Sequence, residues 1–366
     1  VFGSPALLNT LSRHCVDNKI RIESVMRVIS AGAAVPIRTI RRMQNSLYQD
    51  ANIHTPYGAT ECLPVSSISA RELDDRMVDR IESGDGVCVG RPIEPNEVRV
   101  IKISDMAFNR LSETTEMPFG MPGEIIVTGP SCTDSYWQRD TDTAMAKLVD
   151  DEGRTWHRMG DVGILDGQGR LWYCGRVSQR VDTGKEVLFA DQCEAIFNQH
   201  PDLLRSAVVG VGARGRQMPV LCIELKGKLS PVDTERVHFD LLQLAQAHSI
   251  TREIRTVLFH PGFPVDIRHN SKIDRTRIAR WNGRDDLPVR PVGAEIEGPA
   301  PEKQSASPHL DVQRRVALES EELVEDVFDP VTVVVEITEI QKDLGGIEAA
   351  DSVWKERDLD RGAGAA

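Results

Sequence analysis

The hydrophobic pattern of this chain changes character twice, and that change limits the folds open to it. Val25–Ile29 is a short apolar run of the buried-strand kind, ending in the small-residue turn Ser30–Ala34. Pro36 then opens a helix, with Ile37, Ile40, Met43 and Leu47 at helical spacing. After Ile53 the string Thr55-Pro56-Tyr57-Gly58-Ala59-Thr60-Glu61 reads as a loop. From about Val87 the pattern turns to short strands at Val98–Ile103, Glu124–Thr128, Trp156–Leu165 and Leu171–Cys174. The last two flank Asp166-Gly167-Gln168-Gly169, a hairpin turn. Past Gly175-Arg176, helices (Ala190–Gln199, Thr234–His248) and strands (Ala207–Val211, Val220–Leu225, Arg255–His260) alternate. The expectation is an α/β large domain with a β-rich, barrel-like subdomain at about 87–175, followed by a small α+β C-terminal domain at 176–282.

At 366 residues there is chain enough for two cores, and 40% hydrophobic with 27% charged residues is the balance of a globular protein. No apolar run approaches the ~18 residues that cross a bilayer, so no membrane span is expected. The net charge is −12, but residues 284–366 hold 9 basic and 20 acidic residues against 35 and 36 in the remainder. The acidity belongs to the tail, and the body has no bias toward nucleic acid. That tail, from residue 283, is expected to be disordered, with Glu319–Asp329 helix-prone and Val331–Ile337 strand-prone. Seven cysteines without a C-x-x-C pair match neither a zinc cluster nor a disulfide framework, and are expected as reduced thiols in a cytoplasmic protein. The chain begins at Val1 with no basic and apolar leader, so no signal peptide is expected and the true start is expected upstream.

Five short strings carry possible chemistry. In Tyr57–Glu61 an aromatic ring can stack on a base and Gly58 can admit a ligand to the backbone; Thr60 can hold a phosphate, and the Glu61 carboxylate can take Mg²⁺. Ser30-Ala31-Gly32-Ala33-Ala34 precedes it at a strand end, small enough to lie against a flat base. Downstream lie Gly160-Asp161, an acceptor for sugar hydroxyls, then Gly175-Arg176, then Lys272 within Arg268–Ile273. Each alone is an ordinary turn or a surface cation; their order over about 240 residues is what distinguishes them.

That ordered set resembles the adenylate-forming superfamily of acyl-CoA synthetases, nonribosomal-peptide adenylation domains and luciferases, over residues 1–282. The resemblance implies that Gly32, Ala33 and Ala34 line adenine, that Tyr57 stacks on it with Gly58 and Ala59 alongside, and that Thr60 meets the α-phosphate. It further implies that Glu61 binds Mg²⁺ and that Asp161 and Arg176 hold the ribose. Ser178 would be the hinge of a mobile C-terminal domain, and Lys272 the lysine which that domain inserts during adenylation. ATP and Mg²⁺ are the implied cofactors. The wording of Tyr57–Ser66, Trp156–Gly163, Ser178–Asp182 and Phe263–Lys272 is most similar to the olefin-biosynthesis β-lactone synthetases. Those adenylate a 2-alkyl-3-hydroxy fatty acid, whose own hydroxyl closes a four-membered lactone without coenzyme A, beside other enzymes of an olefin pathway.

Two alternatives stand beside this reading: a long-chain acyl-CoA or acyl-AMP ligase, and a non-catalytic fragment. The superfamily's Ser/Thr/Gly-rich phosphate loop has no counterpart here, since Ser83-Gly84-Asp85-Gly86 lacks a following lysine and lies in the wrong order. Residues 1–175 are therefore expected to be only the later part of the large domain, and the chain alone to be inactive.

Overall fold

The computed structural model describes residues 1–265 and 272–282. Its first layer is parallel. Strand β1 (Phe2–Gly3) leads into helix α1 (Pro5–Asp17), where the Ser4 side chain accepts the Leu7 N–H and Pro5 occupies the first turn. Strand β2 (Arg27–Ser30), helix α2 (Ile37–Ser46) and strand β3 (Asn52–Ala59) follow, with Pro36 capping α2. Phe2 pairs with Ile29 and Arg27 with Asn52, all in parallel. Ile40 and Met43 from α2 join Leu8, Cys15, Val28 and Ile53 in one core.

The segment expected as a loop after Ile53 is instead strand through Ala59. It turns at Thr60-Glu61 into β4 (Cys62–Ser69), with Tyr57 opposite Ser66 and Ala59 opposite Cys62. Pro56 was the misleading residue. Pairing to β2 ends at His54, so beyond it β3 is an edge on that side, where a proline is tolerated. Gly58 serves the hairpin itself, because a Cβ there would lie 2.6 Å from the Cys62 carbonyl oxygen.

Helix α3 (Asp75–Glu82) is a further element not read from the sequence, although Asp74 caps it by accepting the Met77 N–H at 2.8 Å. Its buried Met77 and Ile81 pack with Ile68, Cys88 and Trp172. Strands β5 (Val87–Pro92), β6 (Glu97–Ile101) and β7 (Gly123–Thr128) come next. Helix α4 (Asp140–Ala146), β8 (Lys147–Val149), β9 (Thr155–Leu165) and β10 (Leu171–Arg176) complete this half. These strands do not form a sheet apart: β10 pairs with β5, giving one path β1-β2-β3-β4-β5-β10-β9-β7-β6, with β8 beside β9. The Asp166–Gly169 hairpin turn forms as expected. Asp166 accepts the amides of Gln168 and Arg170 and the Trp172 indole N–H, and Asp150 does the same for Glu152, Arg154 and Trp156.

Beyond Arg176, a short hairpin of β11 (Val181–Asp182) and β12 (Val187–Leu188) precedes α5 (Ala190–Phe197). Strands β13 (Leu203–Val211) and β14 (Met218–Leu225) pair antiparallel. Helix α6 (Pro231–Ala247) then leads to β15 (Thr256–Phe259), which joins β14 in parallel. Helix α7 (Arg275–Asn282) ends the described chain. Phe197, Val208, Leu221, Val237 and Leu241 form the core of this α+β part. The expected helix at 319–329, the strand-prone run at 331–337 and the acidic tail lie outside the described residues.

The expectation of reduced thiols throughout needs correction. Cys62 and Cys132 are joined as a disulfide across an isolated antiparallel bridge, while Cys15, Cys88, Cys174, Cys193 and Cys222 are buried. Seventy residues separate the pair, so no sequence spacing announces it. Among the described residues no helix is long and apolar enough to cross a membrane.

Candidate active site

Asp161 is the centre of the site. It sits in mid β9, and the antiparallel register places Arg176, the last residue of β10, directly opposite it. Gly160-Asp161 and Gly175-Arg176, expected to act on the same group, thus become cross-strand neighbours. Tyr57 arrives from β3, four places away along the sheet path. Strands ~4.8 Å apart in a flat sheet would put β3 and β9 ~19 Å from each other. The Tyr57 hydroxyl nevertheless donates to Asp161 Oδ2 at 2.7 Å, so the sheet must curl. Val65, Ile125, Val127, Met159 and Leu171 fill the curl, with Tyr57 packed against them.

Asp161 is 3% exposed. Burial pushes its carboxyl up to about 6, against the opposing pull of Arg176 and of the Tyr57 hydrogen bond. Arg176 Nε approaches Oδ1 at 3.1 Å, but off the hydrogen-bond direction, so this buried oxygen has no hydrogen-bond partner. A buried acceptor without a donor costs free energy until one arrives, and sugar hydroxyls are donors that fit it. The Tyr57 ring is half-buried, with Tyr173 tilted against it at 5.9 Å between centroids. Burial and the neighbouring Asp161 carboxylate hold the Tyr57 phenol well above its ordinary range.

Just beyond Tyr57, at the hairpin tip, Thr60 is exposed and Glu61 half-buried. The Tyr136 hydroxyl donates to Glu61 Oε1 at 2.8 Å. Burial acts to raise the Glu61 carboxyl, but the Tyr136 bond, its own amide, His157 and Lys147 together bring it below the ordinary range. Behind it, Lys147 donates to the Thr133 carbonyl and to Thr133 Oγ1, and burial lowers its ammonium. Burial, helped by Lys147, takes His157 down to about 4, so its imidazole is neutral near pH 7. Among the described residues no three His, Cys, Asp or Glu side chains cluster as a metal site. A single carboxylate completed by phosphate oxygens is how Mg²⁺ is commonly held on a nucleotide, and Glu61 fits that role.

The remaining expected residues stand apart. Gly32, Ala33 and Ala34 form the turn leaving β2, the neighbour of β3, with Gly32 at φ +98°. No side-chain contact joins them to Tyr57. Ser178 lies in the single helical turn Val177–Gln179, and its carbonyl accepts from Arg214 Nη2 at 3.2 Å. Lys272 is exposed, beside the Val265–Ile273 bridge, and makes no contact with Glu61 or Asp161. Three residues on, Arg275 donates to Gln179 Oε1 at 3.0 Å and pairs with Glu194, tying the lysine segment to the Ser178 turn. Tyr136, Lys147, His157 and Arg275 were not among the residues picked from sequence. A lone aromatic or cation carries no mark of a contact 75 or 81 residues away.

The family described as "AMP-binding enzyme" matches residues 1–137. The chain is 46% identical over 285 residues to an olefin β-lactone synthetase of Stenotrophomonas maltophilia, and 45% to that of Xanthomonas campestris. Each match covers 77% of this chain and 50% of the relative, so the chain spans about half the length of these proteins. In structure it is similar to an amide bond synthetase from Marinactinospora thermotolerans, with a TM-score of 0.61 at 23% identity over 77% of this chain and 51% of that one. Residues 1–137 thus match the AMP-binding enzyme family, and over 285 residues the chain is similar to two olefin β-lactone synthetases.

Proposed function

We propose that the polypeptide carrying this chain is an ATP-dependent ligase that activates a 2-alkyl-3-hydroxy fatty acid as its acyl-AMP and closes it to a β-lactone. One observation carries the nucleotide part: the buried Asp161 acceptor, held by Tyr57 and faced by Arg176, with one oxygen lacking a donor. The similarity to two named β-lactone synthetases supports the choice of substrate.

In this reading Gly32–Ala34 and the Tyr57 ring take adenine, with Gly58 and Ala59 beneath it, and Asp161 and Arg176 take the ribose. Thr60 meets the α-phosphate, Glu61 holds Mg²⁺, which neutralises phosphate charge when bound, and Lys272 comes in from a mobile domain at 176–282 that hinges at Ser178. A carboxylate is a poor electrophile. One of its oxygens attacks the α-phosphorus, pyrophosphate leaves, and the cationic and hydroxyl groups stabilise the charge gathered there. The substrate's own 3-hydroxyl then attacks the acyl carbon, forming the ring C–O bond as the bond from that carbon to the phosphate oxygen breaks; AMP leaves, its phosphate taking the hydroxyl proton. Closure of the moving domain keeps water from the adenylate. The same reading places the protein in the cytoplasm, its lactone passing to another olefin-pathway enzyme.

The test is to supply the whole protein with ATP, Mg²⁺ and a 2-alkyl-3-hydroxy fatty acid, with and without coenzyme A. The expected result is pyrophosphate, AMP and a β-lactone in both. A thioester formed only when coenzyme A is present would replace this reading with an acyl-CoA ligase.

A further inference from the structure

We propose that Tyr136 is a positioning residue for Glu61, fixing the carboxylate that takes the divalent cation. The proposal rests on the reading of Glu61 as the cation ligand and deepens it.

Segment 132–136 grips Glu61 at three places. The Thr133 amide donates to the Glu61 carbonyl at 2.8 Å. Cys132 is bridged to Cys62, the residue that follows Glu61. The Tyr136 hydroxyl reaches round to Oε1 of the side chain at 2.8 Å. The segment is itself fastened: the Tyr136 amide donates to Thr143 Oγ1 at 3.0 Å, and that hydroxyl donates to the Arg139 carbonyl at 3.0 Å. Lys147, buried behind, donates to both oxygens of Thr133.

The backbone contacts place the Glu61 main chain, but three side-chain torsions would still leave its carboxylate free to swing. A hydrogen bond to an ionised acceptor is among the stronger ones. Held at Oε1 by Tyr136 and steadied by its own amide, the carboxylate keeps one orientation in which it would meet a hard cation at a fixed point. Magnesium tolerates little departure from octahedral geometry at about 2.0–2.1 Å, so a carboxylate already set in place binds it with less ordering still to do. The phenol oxygen is the operative atom, since the ring alone would fill the same space without orienting anything.

Tyr136→Phe removes that oxygen and keeps the ring, so packing is preserved. The whole protein is titrated with ATP at increasing Mg²⁺, and with AMP in the absence of metal. The expected result is a Mg²⁺ midpoint raised about threefold to tenfold in Tyr136→Phe, with metal-free AMP affinity unchanged. Glu61→Gln should raise the midpoint further, and adding Tyr136→Phe to it should have no additional effect. An unchanged midpoint in Tyr136→Phe, where Glu61→Gln does shift it, overturns the positioning role alone. An unchanged midpoint in Glu61→Gln overturns the cation-ligand reading and this proposal with it. Equal weakening of AMP and MgATP binding in Tyr136→Phe would show a packing role and also overturn it.

Discussion

The Tyr57 hydroxyl and the Asp161 carboxylate, 104 residues apart in sequence and four strands apart in the sheet, meet at 2.7 Å. That contact closes the curl of the sheet and sets one oxygen of a buried acid while leaving the other without a donor. It ties the strand bearing the Tyr57–Glu61 string to the strand bearing Gly160-Asp161, and three of the five expected strings converge on it once Arg176 is added.

The raised Asp161 carboxyl gives the site a pH dependence of predictable sign. In the free protein its midpoint is about 6, above the ordinary 3.8. The folded state therefore holds the proton more tightly than the unfolded chain, and this group's contribution to stability falls as pH rises through that window. On the proposed reading nucleoside binding runs the other way, because only an ionised Asp161 would accept from both ribose hydroxyls. Adenosine, which has no group titrating near neutrality, should bind more weakly as pH drops below about 6, approaching tenfold per pH unit. Asp161→Asn should bind weakly and without this slope, as calorimetric titration across the range would show.

The proposed site was read from short strings, and the structure brings three of them into contact. Asp161, Arg176 and Tyr57 are brought together by the strands that carry them. The local structure of Tyr57–Glu61 was not legible: Pro56 signals a break, and only the end of β2 pairing at His54 explains why a strand continues through it. Helix α3 had a readable cap at Asp74 and apolar spacing at Met77, Val78 and Ile81, but with 8 residues it is too short for its periodicity to stand out. The Cys62–Cys132 pair and the Tyr136–Glu61 bond depend on a chain return after about seventy residues, which no local pattern encodes.

Lys272 should separate binding from chemistry. It is exposed and touches none of the proposed nucleotide-site residues, so Lys272→Ala should leave AMP affinity of the whole protein unchanged. If the lysine enters only to stabilise charge in the adenylation step, pyrophosphate release should fall about 100-fold or more. Pyrophosphate release near the parent rate would remove Lys272 from the mechanism.

The β7–β9 pairing holds an ion pair whose removal should be costly. Arg158 and Glu124, 5% and 3% exposed at their side chains, meet at 2.6 Å, and Arg158 also donates to the carbonyls of Ser104, Met106 and Met145. Arg158→Met leaves a buried carboxylate unpaired and should cost about 3–5 kcal/mol. Replacing both, Arg158→Met with Glu124→Leu, should recover part of that loss, measured by denaturant unfolding.

The central claim is that Tyr57, Asp161 and Arg176 form the nucleotide site, and AMP binding tests it most directly. AMP is titrated into the protein and into its Asp161→Ala and Tyr57→Phe variants. The account predicts a loss of affinity of about tenfold or more in Asp161→Ala and a smaller loss in Tyr57→Phe. Equal affinity for AMP in the parent protein and in Asp161→Ala would contradict it.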